Sequence, residues 1–289
     1  MDHRHLLLVA LALVAAGCGQ GASQPPAGPD AATVLVTRDF GSTTLTQARA
    51  APGQSALNAL RRSAKVGTSY GGRFVESING VEGKKSEGWD WLYFVNGIDP
   101  GVGAADTTLH PGDREWWDYR YWKDFIGVPA VIGAWPEPFV HGLDGKRPQV
   151  RVQGPACAGR LSDALEQAGA RVGDGTAPFD VRVATFDEVS SLLTDWERWA
   201  FTVRLTGGRV EIYHGQPGWS DVPDAHAVIV ARSPDGIPGR TFEMLVAGDR
   251  RKAACAAAHT VASDPTAIAH AYAVALDAHG AVLAVAGRP

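Results

Sequence analysis

The pentapeptide Gly67-Thr68-Ser69-Tyr70-Gly71 has the Gly-x-Ser-x-Gly pattern of a hydrolase nucleophile elbow. In that device a strained strand-to-helix turn lifts a serine hydroxyl out for attack, so a strand must precede the serine and a helix follow it. Here residues at helical spacing come before Ser69 and a strand-like alternation comes after, which reverses the order and removes the support for catalysis. Asp90 and Asp118 could share a proton as acid and base only if the fold brought them together, and their spacing does not require that. His214, Asp221, Asp224 and His226 gather around a Gly/Pro-rich stretch, residues 215–223, but match no standard zinc spacing and suit a solvated loop. No Cys-x-x-Cys pair, His-Glu-x-x-His helix or calcium-type acidic loop occurs, so no metal site is expected.

The stronger chemical signal is aromatic. Five of the nine tryptophans fall between Trp89 and Trp122, joined by Tyr93, Phe94, Tyr119 and Tyr121. On a strand starting at Trp89, the side chains of Trp89, Trp91, Tyr93 and Val95 share one face, and those of Asp90, Leu92, Phe94 and Asn96 share the other. Trp116 and Trp122 likewise oppose Trp117, Tyr119 and Tyr121. Such stripes either fill a sheet–helix core, aromatics being ordinary strand residues, or form a ligand platform of flat rings that are ordered at low entropy cost. More rings are present than a small sheet with one helix should bury, which favours a platform. The candidate contacts are Trp91, Tyr93, Trp117 and Tyr119, with Tyr70 and Asn96 at the rim. A one-residue bulge would exchange the faces. Asp113, Arg114, Glu115, Asp118 and Arg120 interleave with the rings and read as a solvated face with cross-strand pairs.

These residues need a scaffold. Residues 33–39 alternate like a strand, and Ser55 is a plausible N-cap for Ala56, Leu57, Leu60 and Ala64 at helical spacing. Residues 73–78 form a second strand running into Asn79-Gly80, and residues 89–95 a third running into Asn96-Gly97; both pairs tolerate the positive φ of tight turns. Residues 114–122 complete the set. Strand, helix, then several strands is an α+β pattern, a small β-grasp-like domain with one covering helix. A Pro-containing connector around Trp135 and Phe139 leads to a boundary at residues 142–146, beyond which strands and helices interleave as a second, α/β domain.

Within the first domain, Tyr70-Gly71-Gly72-Arg73-Phe74-Val75-Glu76-Ser77-Ile78-Asn79-Gly80, Trp91-Leu92-Tyr93-Phe94-Val95-Asn96-Gly97 and Leu109-His110-Pro111-Gly112-Asp113 together resemble the C-terminal domain of transcobalamin and intrinsic factor. That family carries a glycine-led strand with an SI-NG turn, a W-YFVNG strand and a GD turn. The resemblance implies a β-grasp-like module that closes over one side of a corrinoid, with ligand contact on these strands. The helical domain that supplies the rest of the vertebrate pocket has no counterpart here. His110 and His141 are the histidines nearest the implied ligand region and would be the ones to reach cobalt, although a lone histidine in a turn is usually just solvated. The second half resembles the domain that trails this module in some actinobacterial lipoproteins, for which no activity is implied.

At the N-terminus, Arg4 and the apolar run 6–16 are too short for a bilayer span and end in Val14-Ala15-Ala16-Gly17-Cys18, which resembles a bacterial lipobox. Ala15 stands where leucine is more usual, so a plain secretory signal is the other reading. The expected organisation is a lipoprotein signal peptide at 1–18 with Cys18 lipidated, a tether at 19–32, the transcobalamin-like domain with its connector at 33–142, and the α/β domain at 143–289. Cys157 and Cys255 are an even pair in an exported chain and are expected to be bridged. The net charge of -4 provides no basic footprint for nucleic acid.

The leading expectation is an extracytoplasmic, lipid-anchored protein that captures a small molecule, a corrinoid or a similarly bulky cofactor, and passes it to a membrane importer. No resident cofactor is expected. The rival is a non-enzymatic protein-interaction module of the cell envelope, which an exposed sheet edge would favour. An enzyme ranks third.

Overall fold

The computed structural model describes residues 30–125, 127–216 and 218–288. Cys18 and nearly all of the expected tether lie outside them. β1 (Ala32–Arg38) already begins at the last tether position, and β2 (Thr43–Ala50) follows. Then come α1 (Ala56–Ser63), β3 (Val66–Ser69), β4 (Phe74–Ile78), β5 (Val81–Glu82), β6 (Trp89–Val95) and β7 (Arg114–Tyr121). The Ser55 hydroxyl accepts a hydrogen bond from the Asn58 amide and caps α1, whose Ala56, Leu57, Ala59 and Leu60 face the core. The main sheet has the order β2-β1-β7-β6, with β1 parallel to β7 and the other pairs antiparallel. A small β3-β4-β5 sheet lies apart. Asn79 and Gly80 make its tight turn with φ of 51° and 82°, the left-handed values that asparagine and glycine accept most readily.

The second half contains β8 (Gln149–Gln153), α2 (Gly159–Gln167), β9 (Arg171–Val172), β10 (Phe179–Thr185), α3 (Phe186–Thr194) and α4 (Trp196–Trp199). β11 (Val203–Thr206) and β12 (Arg209–Tyr213) form a hairpin, joined by β13 (Trp219–Asp221). β14 (Ala227–Arg232), β15 (Phe242–Gly248), α5 (Arg251–Ser263), β16 (Ala273–Leu276) and β17 (Val282–Val285) complete the chain. Its large sheet runs β17-β16-β14-β15-β10-β8-β9, parallel from β15 through β9 and antiparallel elsewhere. The whole is an α+β fold. Cys157, just before α2, and Cys255 in α5 are joined by a disulfide with Cα atoms 5.6 Å apart.

Among the described residues no strand pairing crosses 142–146, yet the side chains on the two sides pack together. Phe40 meets Tyr213 and Tyr272 edge-on at 5.2 and 5.1 Å, and Tyr272 also meets Phe94 and Trp116. The connector contributes Phe139, which packs on Phe179 and Phe242 of the large sheet. This packing answers the apparent excess of rings. One face of the main sheet is covered by α1, which lies over β1 and β2, and by the small sheet, whose β4 packs on β6, and the other face by the second half, so both stripes have a protein partner. The same cover overturns the expectation of a solvated charged face: Asp113, Glu115, Asp118 and Arg120 are buried, and only Arg114 is exposed.

Glu115 shows the consequence. One carboxylate oxygen accepts from the Trp117 indole, the other has no partner among the described residues, and burial pushes the carboxyl well above the ordinary glutamate range. The unfolded chain loses this proton near pH ~4.3, whereas the folded protein keeps it, so folding stability falls as pH rises from there toward the folded pKa. Glu115→Gln should therefore match the parent in acid and become progressively the more stable of the two as pH rises, measured by urea unfolding across pH 4 to 8. A parallel pH dependence of the two proteins would contradict this.

Candidate functional site

The β6–β7 pairing places Trp91 opposite Tyr119 and Tyr93 opposite Trp117 without a bulge, so the odd-numbered residues do share one face. A cavity of about 220 Å³ opens between this face and the small sheet. Trp91, Tyr93 and Trp117 wall it from β6 and β7, Phe74 from the start of β4 with Arg73 just before it, and Asp99 from the loop after β6. Tyr93 and Trp117 stack with centroids 4.8 Å apart and planes 18° from parallel. The Tyr93 hydroxyl donates to the Val102 carbonyl at 2.6 Å and shares a 2.8 Å hydrogen bond with the Thr107 hydroxyl, which fixes the ring. Burial pushes its phenol far above the ordinary tyrosine value, so it stays protonated. The Trp91 indole donates to the Val81 carbonyl at 2.9 Å. Arg73 pairs with Asp106 at the rim, and burial raises the Asp99 carboxyl, which accepts from the Gly101 amide.

The other three candidate contacts lie elsewhere. Tyr70 is 79% exposed and touches the cavity wall only through its edge-on contact with Phe74. Tyr119 stacks on Trp89, tilts against Trp91 and donates to the Glu82 carbonyl. Asn96 is not at a rim but is fully buried: its amide donates to Asp113 at 2.7 Å and to the Gly142 carbonyl at 2.8 Å, while its oxygen accepts from the Arg114 amide. It pins the turn after β6 to the end of the connector. Arg73, Phe74 and Asp99 escaped the sequence reading because they come from separate segments with no shared periodicity.

The reactive candidates find structural roles. Ser69 ends β3 in an extended conformation, φ −124°, and a short turn of 3-10 helix follows, so neither the elbow's strain nor its helix is present. The sequence expectation placed a helix directly before it; a short strand intervenes. Its hydroxyl is buried with no hydrogen-bond partner among the described residues, so no base addresses it. Asp118 is bonded to Thr37, Gly41 and Tyr272, whereas Asp90 accepts from the Trp91 amide, so the two do not form a pair. His141 bonds Glu137 at 2.6 Å, which raises its pKa, and His226 bonds Asp249 at 2.8 Å. Among the described residues no group of three or more His, Cys, Asp or Glu side chains is arranged to hold a metal ion.

Two further hollows lie outside this face. One, of about 320 Å³, sits at the ends of β8 and β10, with Glu188 and Arg251 at its edge. The other, of about 490 Å³, lies between the main sheet of the first half, the connector and the segment before β16.

No curated protein and no solved structure significantly matches the chain. Residues 53–120, which carry α1, the small sheet, β6 and nearly all of β7, match a family described as a domain of unknown function (DUF4430), one associated with transcobalamin-like domains.

Proposed function

We propose that this is a surface lipoprotein, anchored through acylated Cys18, that captures a bulky cofactor-like molecule and presents it for uptake by a membrane importer. A corrinoid is the class that the transcobalamin-like strands favour. The observation that carries the reading is the cavity walled by Trp91, Tyr93 and Trp117, which lies within the matched stretch. At about 220 Å³ it is smaller than the roughly 300–1,000 Å³ that encloses a drug-sized ligand. It therefore grips one edge of a large ring system and leaves the rest in solvent, and affinity is lower than in a two-domain carrier that covers both sides.

Trp91 is a poor residue for the test, since truncating a buried tryptophan costs about 3–5 kcal/mol of stability by itself. Phe74 and Arg73 are at the mouth, and loss of the exposed Arg73–Asp106 pair costs little. Titrating the protein with cobalamin should quench tryptophan fluorescence saturably, with the apparent Kd raised several-fold by Phe74→Ala and by Arg73→Ala. Quenching that never exceeds inner-filter absorption, or that is unchanged in both variants, would move the reading to a protein-interaction module. One observation favours that second reading: β2 lies at the edge of the main sheet, is mostly exposed, and among the described residues pairs only with β1. Such an edge can accept an extended segment from a partner.

A further inference from the structure

The 490 Å³ hollow between the two halves is the most spacious of the cavities described above, and it has a chemistry of its own. Its walls are Leu35 from β1, the Trp116 ring, and Trp135 with Pro136 from the connector. Trp116 has already committed its indole N–H to Thr37 at 2.7 Å, so it presents an apolar ring and not a donor. Gln47, exposed on β2 across from Leu35, stands at the mouth.

Arg114 also lines this space. Its Nη1 donates to the carbonyls of Ala134 at 3.1 Å and Trp135 at 2.9 Å, which fixes the guanidinium plane without neutralising it. No carboxylate pairs with Arg114 among the described residues, and its Nε and Nη2 have no protein acceptor there. A fixed guanidinium with an open edge is the usual recognition element for a planar, bidentate oxyanion. His270 lines the same space, its ring 6.4 Å from that of Trp116. Burial, together with Arg288 and Arg114, lowers the His270 pKa, so the imidazole is neutral at pH 7 and offers a hydrogen bond without a charge. An apolar slot with one unneutralised, oriented cation suits an anion with an apolar body, and its volume falls within the range that encloses small ligands.

We propose that this interdomain hollow is a second ligand site, which binds small organic monoanions with a flat apolar body, the carboxylate on Arg114 and the body against Trp116 and Pro136. It is separate from the Trp91–Tyr93–Trp117 cavity and does not depend on the function proposed for that cavity.

Calorimetric titration with 2-naphthoate, and with neutral 2-naphthamide as its uncharged counterpart, tests the proposal. The naphthoate should bind saturably and at least ten-fold more tightly than the amide. Arg114→Gln should remove most of that preference. Because Arg114 also holds two connector carbonyls, Gln47→Glu provides a second variant: this exposed position tolerates the change, and the added charge at the mouth should weaken naphthoate several-fold while leaving naphthamide unchanged. Excess cobalamin should not displace naphthoate, which separates this site from the other. Absence of binding, equal affinity for acid and amide, displacement by cobalamin, or indifference to both substitutions would each overturn the proposal.

Discussion

Unfolding of the Cys157→Ala/Cys255→Ala double variant in urea should show a loss of stability of up to about 4.7 kcal/mol relative to the bridged protein. The disulfide joins positions 98 residues apart, and a loop that long is expensive to close in the denatured chain, so the bond acts mainly by restricting the unfolded ensemble. In the folded state it fastens the turn before α2 to α5, and α5 packs on β10, β14 and β15, which places the clamp over the centre of the large sheet. A denatured chain freed of the cross-link expands and exposes more surface, so the urea m-value should rise with the loss of stability. Replacing both cysteines avoids leaving a lone reactive thiol. A loss below about 1 kcal/mol would mean that the reduced chain retains enough residual structure to do the same work.

The second large effect is expected at Asp118. This carboxylate is buried at the junction of the two halves, where it accepts from the Thr37 hydroxyl at 2.7 Å, the Gly41 amide at 3.2 Å and the Tyr272 hydroxyl at 3.0 Å. Burial raises its pKa, while these donors and the charge of Arg120 oppose the rise. Arg120 is itself fully buried, with its guanidinium 5.5 Å from the Phe40 ring centroid and one nitrogen donating to the Phe125 carbonyl at 2.9 Å. Asp118→Ala strands that cation and leaves the Gly41 amide and the Tyr272 hydroxyl without an acceptor, while the Thr37 hydroxyl keeps the Trp117 carbonyl at 3.3 Å. Removing one partner from a buried charged network costs about 3–5 kcal/mol. Tyr272→Phe deletes a single bond to a charged group and should cost about 1.5–3 kcal/mol. Thermal unfolding of both variants gives the order, and Asp118→Ala within about 1 kcal/mol of the parent would show that the network carries little of the stability. Because the Asp118–Tyr272 bond ties the first sheet to the second half, Asp118→Ala is also the variant in which a single unfolding transition should begin to separate into two.

Part of this architecture is written in neighbouring residues. Ser55 ahead of Ala56, Leu57 and Leu60 specifies a capped amphipathic helix, because cap and apolar stripe lie within a few residues of one another. Asn79-Gly80 and Gly207-Gly208 specify turns because their backbones accept positive φ, and the alternation in β6 and β7 assigns each ring to a face. β2 was not legible: Thr-Thr-Leu-Thr-Gln-Ala-Arg-Ala lies exposed on a sheet edge, so it lacks the apolar alternation that one-sided burial imposes. Three of the six aromatic-site candidates line the cavity, and its polar rim at Arg73 and Asp99 was not foreseen, since three separate segments have to converge to make it. What covers each face of the aromatic strands was decided only by tertiary structure. Asp118 looks like a surface charge until Tyr272, 154 residues away, closes over it. Periodicity records which side of an element is apolar, but burial of a charge depends on the surface that arrives from elsewhere in the chain, and no local pattern encodes that meeting.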